Sequence, residues 1–332
     1  MEQRPLGRTG LQVSALGYGS GAIGGLFTKG DPAEQRRAVA HALDAGITYY
    51  DTASSYGNGA SEENLGRVLR ELDAWDRVVV GTKVRLTADD LSDPVMAIQT
   101  SVEASLRRLD HDAVDLLQLH NPITRPGAGA LQTASGGSVG LDAVQGGIAE
   151  GLRRVKERGL ARQIGFTGLG ETAALRDAVQ SGIFATMQSY FNAVNPSAGY
   201  AGASGGEQDF GGLIDTAASA GVGVIAIRVL AAGALTLQPE RHANAGDPGS
   251  PLVGGGEYEH DMNRAKDLAW FATEAGLENT LEMAVRFALA KPGIATALVG
   301  YSDVSQLDDA LRWTARGPLP PDVVAQIVAA AR

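Results

Sequence analysis

Four polar side chains stand where apolar runs end: Asp51 and then Tyr56 in "DTASSYG", Lys83 in "RVVVGTKV", and His120 closing "VDLLQLH". Each alone has an ordinary structural explanation. Asp51 could cap the turn after it, Tyr56 could be an amphipathic loop aromatic, Lys83 could snorkel out of a buried strand, and His120 could donate to a backbone carbonyl. Together, an acid, a phenol, an ammonium and an imidazole make a proton-transfer set. A phenol with a pKa of about 10 holds its proton too tightly for efficient transfer near neutrality. A lysine about 4 Å away favours the phenolate by about 4 kcal/mol at an effective dielectric near 20. That lysine keeps its charge in a pocket only if a carboxylate pairs with it. The expected division of labour is Asp51 holding Lys83, Lys83 acting on Tyr56, and a neutral His120 turning a substrate carbonyl toward the phenol.

Residues scattered from 51 to 120 can converge only if a fold brings strand ends to one face. Eight β-branched or apolar runs read as strands: "SALGYG" from Ser14, "TYYDTA" from Thr48, "RVVVGTK" from Arg77, "VDLLQLH" from Val114, "RQIGFTG" from Arg162, "TMQSYFN" from Thr186, "GVIAIRV" from Gly223 and "ATALVGY" from Ala295. Helical patterns lie between them, one opening at Asp31 and Pro32, another at Asp93 and Pro94, each an acidic cap before a proline. Near-continuous apolar strands followed by helices predict an α/β protein with a parallel sheet. Eight such units over this length fit a (β/α)8 TIM barrel, with a doubly wound open sheet as runner-up. No composition break divides residues 1–332, so a single domain is expected. Long connections follow strand 4 (Asn121 to Leu141), strand 6 (Asn192 to Asp209) and strand 7 (Leu230 to His260). In a barrel these rise from the ligand face and suit lids or specificity loops, surface decoration being the plainer alternative. Phe27, Tyr190 and Phe191 lie near strand ends and either line an apolar pocket or fill the core.

Composition narrows the function classes. The 332 residues are 44% hydrophobic and 20% charged, with no cysteine and a net charge of -10. Thiolate metal sites, disulfides and a cysteine nucleophile are excluded, and a cytoplasmic location is the default. The five histidines form no i, i+4 pair, so no metal site is expected. The acidic balance without a basic run argues against a nucleic-acid partner. The most apolar segment, Gly221 to Leu237, is interrupted by Arg228 and by glycines, which argues against a membrane span. Gly19, Gly21 and Gly24 in "GSGAIG" match the dinucleotide signature G-x-G-x-x-G. That signature needs a helix opening within it, whereas the next helical pattern here begins near Pro32, so the match is set aside.

The motifs "DTASSYG", "GTK" and "VDLLQLH", in that order, resemble the catalytic tetrad of the aldo-keto reductases. The resemblance runs from "LGRTGLQVSALGYG" to "VSQLDDALRW", nearly the whole chain. It implies a barrel that binds a nicotinamide dinucleotide without a Rossmann domain and transfers hydride to or from a carbonyl, with Tyr56 as general acid in reduction. It implies that Gly19, Ser20, Gly21 and Asp51 border the nicotinamide, and that Thr167, Gly168 and Gln188 lie at its carboxamide. Ile227 would lie against the ring, Arg228, Leu230 and Gly233 along the pyrophosphate, and Gly300, Ser302 and Gln306 at the adenosine end, with Ser302 as cap of the last barrel helix. Some positions depart from the family pattern. Gly168 stands where many members have Asn, Ile227 where an aromatic often stacks, Arg228 where a serine is usual, and Ala310 where an Asn is common. Tyr301, Ser302 and Asp303 occupy places where strong NADP users carry Lys or Arg. Family usage places NADP(H) ahead of NAD(H). The leading expectation is reduction of an aldehyde or ketone. The alternatives are a sugar (aldose) dehydrogenase working in the oxidising direction, and a nucleotide-sensing binding subunit similar to the potassium-channel beta subunits. The partner expected is a small carbonyl or sugar substrate; the sequence leaves the oligomeric state open.

Overall fold

The computed structural model describes residues 1–126, 132–133, 136–238, 240–248 and 258–332. Two of the strand-forming runs are buried from end to end: all six residues of Val79–Val84 and all six of Val114–Leu119. Only a sheet covered on both faces accommodates that. The strands are β1 (Leu16–Gly19), β2 (Tyr49–Asp51), β3 (Val79–Val84), β4 (Val114–Leu119), β5 (Ala161–Gly168), β6 (Thr186–Tyr190), β7 (Gly223–Ile227) and β8 (Ile294–Gly300). They close into a barrel in sequence order, every neighbouring pair parallel. The fold is a (β/α)8 barrel.

Helices α1 (Pro32–Asp44), α2 (Ala60–Glu71), α3 (Pro94–Leu109), α4 (Ala149–Glu157), α5 (Thr172–Gln180) and α6 (Leu213–Ser219) follow the first six strands. An extra helix α7 (Tyr258–Glu274) precedes α8 (Thr280–Ala290), and α9 (Val304–Ala315) and α10 (Pro321–Ala330) end the chain. The caps expected from sequence form. Asp31 Oδ1 accepts from Ala33 N at 2.9 Å, and Asp93 Oδ1 accepts from Met96 N at 3.1 Å.

Several details differ from the sequence reading. Ser14, expected to open the first barrel strand, belongs instead to Gln12–Ser14, which pairs antiparallel with Gln3–Pro5 in a hairpin reversed at Gly10, whose φ is 78°; the barrel strand starts at Leu16. Leu6 and Val13 of this hairpin join Tyr49, Val79, Leu116, Ile225 and Ala295 in an apolar plug. It closes the end of the barrel where the strands begin. A one-turn helix, Leu26–Lys29, precedes Pro32 after the glycine motif, but the closed barrel rules out a Rossmann sheet. Asp303, not Ser302, caps α9: its Oδ1 accepts from Gln306 N at 3.0 Å. The first half of the connection after β6, through Gly199, is buried and built on Asn192 and Asn195, whose side chains accept from backbone N–H groups at 2.8 to 3.2 Å. The connection after β4 is partly strand, Ile123–Thr124 pairing parallel with Val139–Gly140. Parts of the connections after β4 (127–131, 134–135) and β7 (239, 249–257) lie outside the described residues. Among the described residues no helix is long and apolar enough to cross a membrane.

Candidate active site

Side chains alternate along a strand, so Tyr49 and Asp51 of β2, Gly81 and Lys83 of β3, and Gln118 and His120 at the end of β4 share the inward parity. Asp51 is 2% exposed and Lys83 1%. The Lys83 ammonium donates to Asp51 Oδ1, to Thr52 O at 2.7 Å and to the Tyr56 hydroxyl oxygen at 3.2 Å. The other oxygen of Asp51 accepts from Gln188 Nε2 at 2.6 Å, Tyr49 Oη at 3.0 Å and Gln118 Nε2 at 3.3 Å. Burial alone lowers the pKa of Lys83, but the charge of Asp51 and the contact with Tyr56 outweigh it and leave its pKa raised. Burial, then the charge of Asp51, pushes the Tyr49 hydroxyl well above the ordinary phenol range, so Tyr49 serves Asp51 as a donor.

Tyr56 is half-buried on the turn after β2, and its ring lies edge-on to the His120 imidazole with centroids 5.8 Å apart. His120 is positioned by its backbone N–H, which donates to Val84 O at 2.8 Å. Burial and then the positive charges of Lys83, Arg85 and Arg228 hold its pKa well below the ordinary histidine range. It is therefore neutral at pH 7. The four residues form one array at the end of the barrel where the strands finish, and it can move a proton to or from an oxygen placed beside Tyr56.

Asp51, Tyr56 and His120 open into a cavity of about 650 Å³ that extends over the ends of β7, β8 and β1. Gly19, Gly21, Thr167, Gln188, Ile227, Arg228, Leu230, Gly233, Gly300, Ser302 and Gln306 all line it. Ser20 and Gly168 do not. The hydroxyl of Ser20 is buried with no partner, and a Cβ at Gly168 would stand 2.7 Å from Gln188 O, so this glycine answers to strand packing. Phe27, Tyr190 and Phe191 belong to the core, against Tyr18, Phe210 and Phe287 respectively. The loop after β7 places Arg228, Ala231 and Ala232 at φ of 59°, 47° and 56°, strain of the kind that collects at ligand sites.

The Aldo/keto reductase family model matches residues 15–332. The chain belongs to this family. An L-galactose dehydrogenase of Arabidopsis thaliana is 30% identical over 318 residues, 93% of this chain and 86% of its own. A probable voltage-gated potassium channel subunit beta of Oryza sativa subsp. japonica is 37% identical over 127 residues, 37% of this chain and 38% of its own. An aldo-keto reductase of Bacillus halodurans, solved in its holo form, superposes on 100% of this chain and 97% of its own with a TM-score of 0.73; at 22% identity it speaks to the fold. As an aldo-keto reductase the protein is an oxidoreductase of carbonyl and alcohol groups, in a family that uses nicotinamide cofactors.

The cavity of this aldo-keto reductase fits such a cofactor on one independent observation: Thr167 Oγ1 lines it, buried and without a partner. Sequence reading missed several residues around it. Tyr49 and Gln118, two positions before Asp51 and His120, were legible from strand parity. Arg85, two positions past Lys83, lines the cavity by the same parity. Arg241 and Asn244 had no such signal. Arg241 Nη1 donates to Ala232 O at 3.0 Å, and Asn244 Nδ2 donates to Ser302 O at 2.9 Å. With Gly246 N donating to Ala22 O at 2.9 Å, they lay the segment after β7 across the ends of β8 and β1.

Proposed function

We propose that Tyr56 carries the proton in the interconversion of a carbonyl compound and its alcohol, reduction of an aldehyde or ketone being the leading direction. The observation that carries this reading is the Lys83 ammonium, 3.2 Å from the Tyr56 hydroxyl and held on its far side by Asp51. A bound nicotinamide dinucleotide supplies the hydride in reduction or accepts it in oxidation. In reduction Tyr56 gives its proton to the carbonyl oxygen, and the ammonium of Lys83 stabilises the phenolate left behind. Neutral His120 orients that oxygen, and half-buried Tyr56 recovers a proton from water. Gly19, Gly21 and Ile227 border the ring, Thr167 offers its hydroxyl to the carboxamide, and Arg228, Leu230 and Gly233 follow the pyrophosphate. Gln188 spends its amide N–H on Asp51 and so stiffens the proton-transfer array.

Family usage puts NADP(H) first, but the adenosine end favours NAD(H). Ser302 Oγ donates to Gly24 O at 2.6 Å and Ser302 N to Gln306 Oε1 at 2.8 Å, so both groups are in use. Burial works against the charge of Asp303, yet Ser305, Gln306 and His242 outweigh it and keep its carboxyl below the usual range. An ionised carboxylate at the α9 N-terminus repels a 2'-phosphate. This favours the second reading, an aldose dehydrogenase run in the oxidising direction, as does the likeness to an L-galactose dehydrogenase. The complete Asp51, Lys83 and Tyr56 array speaks against a sensing subunit without turnover. The test pairs an aldehyde with NADH or NADPH and an aldose with NAD, and titrates both reduced cofactors by fluorescence. Turnover with at least one pair, and tighter binding of NADH than NADPH, is expected. Cofactor binding without turnover on either substrate class would overturn the enzyme, and equal affinities would remove the role given to Asp303.

A further inference from the structure

Two arginines at the mouth neither give nor take the proton in the transfer. Arg85 follows β3 with the parity of Lys83, lines the cavity and is exposed. Among the described residues no carboxylate pairs with it. Of the acids that follow it in the chain, Asp90 and Asp93 are committed: Asp90 Oδ2 accepts from Thr87 N and Oγ1, each at 2.7 Å, and Asp93 Oδ1 caps α3, while Asp89 is exposed and forms no ion pair with Arg85. Arg228 follows β7, its carbonyl accepting from Asn192 Nδ2 at 3.1 Å and its guanidinium donating to Pro248 O at 3.4 Å. In the barrel order β3 and β7 lie on opposite sides, so the arginines bracket the mouth across Tyr56 and His120. The imidazole of His120 feels both charges.

The cavity-lining carboxylates do not neutralise Arg85. Asp51 is taken up by Lys83, while Glu240, Asp247 and Asp309 come from the segments beyond β7 and β8. Arg228 stands on the side of the cavity expected to hold the cofactor phosphates; Arg85 stands across the barrel from them. A neutral substrate leaves that guanidinium without a task, whereas a carboxylate matches its planar, bidentate donor fork.

We infer that the substrate carries a carboxylate, which Arg85 binds from the β3 side while the reacting carbonyl or alcohol lies at Tyr56 and His120. The positive charge of Arg228 adds to the field from the opposite side. This rests on Tyr56 as the proton carrier, so the test separates the two claims. The reacting probes are 4-carboxybenzaldehyde and its neutral isostere 4-formylbenzamide, assayed with NADH on wild type, Arg85→Gln and Arg85→Lys. The KM for the acid should be about tenfold below that for the amide in wild type. Arg85→Gln should raise the KM of the acid alone, with kcat within about twofold, and Arg85→Lys should restore part of the difference. Terephthalate, which cannot react, should bind cofactor-loaded wild type about tenfold more tightly than Arg85→Gln in a fluorescence titration. Equal KM values for acid and amide in wild type, or unchanged terephthalate binding in Arg85→Gln, would overturn the inference. If neither aldehyde reacts but terephthalate still discriminates, the anion site stands and the proton-transfer reading fails.

Discussion

Lys83 and His120 show two opposite outcomes of burial, decided by their neighbours. Lys83 faces a carboxylate and stays charged; His120 faces cations and stays neutral. The sign of the pH effect follows for His120. Below about pH 6.5 the unfolded chain takes up a proton that the folded imidazole refuses, so folding stability is present above that pH and falls as the pH drops below it. His120→Asn should therefore lose less stability than wild type between about pH 7.5 and 5.5. Urea unfolding at the two pH values measures this, and identical losses would contradict the assigned surroundings. The main actors were legible at this scale because a lysine or aspartate in an otherwise apolar strand is conspicuous. Arg85 shares the parity of Lys83 and was overlooked only because it lies one position past the strand end. Ser302 and Asp303 are adjacent cap-forming types, and only backbone geometry selects between them.

At the scale of strands, Gly81 shows how β2 and β3 fit together. A Cβ there would stand 2.9 Å from the Tyr49 hydroxyl, which reaches across to Asp51. Gly81→Ala is expected to destabilise the protein by about 1–3 kcal/mol, the usual cost of overpacking. In a Tyr49→Phe background, which removes the colliding oxygen, the same change should cost less. A double-mutant cycle in urea decides this, and strictly additive effects would sink the explanation. The eight barrel strands were readable because their β-branched runs are buried on both faces. The N-terminal hairpin was not, since its strands of three residues carry too little periodicity to register. For the same reason the two-residue pairing of Ile123–Thr124 with Val139–Gly140 is invisible in the sequence.

At the scale of the whole molecule, closure of the barrel turns residues from three separate strand ends into one array. Alternating strands and helices announced that closure. The path of the segment after β7 did not announce itself, because it is fixed by bonds to backbone carbonyls such as that from the Asn244 side chain to Ser302 O, which any asparagine in a loop could make. The placement of Tyr56 between the ammonium of Lys83 and the open cavity is the claim on which substrate class, direction and cofactor choice all depend. The most direct test is the turnover number of Tyr56→Phe, measured at saturating NADH and aldehyde after fluorescence titration has shown that the variant binds NADH as wild type does. A fall of at least about a hundredfold is predicted, the usual worth of general acid catalysis. Turnover equal to wild type would contradict the account.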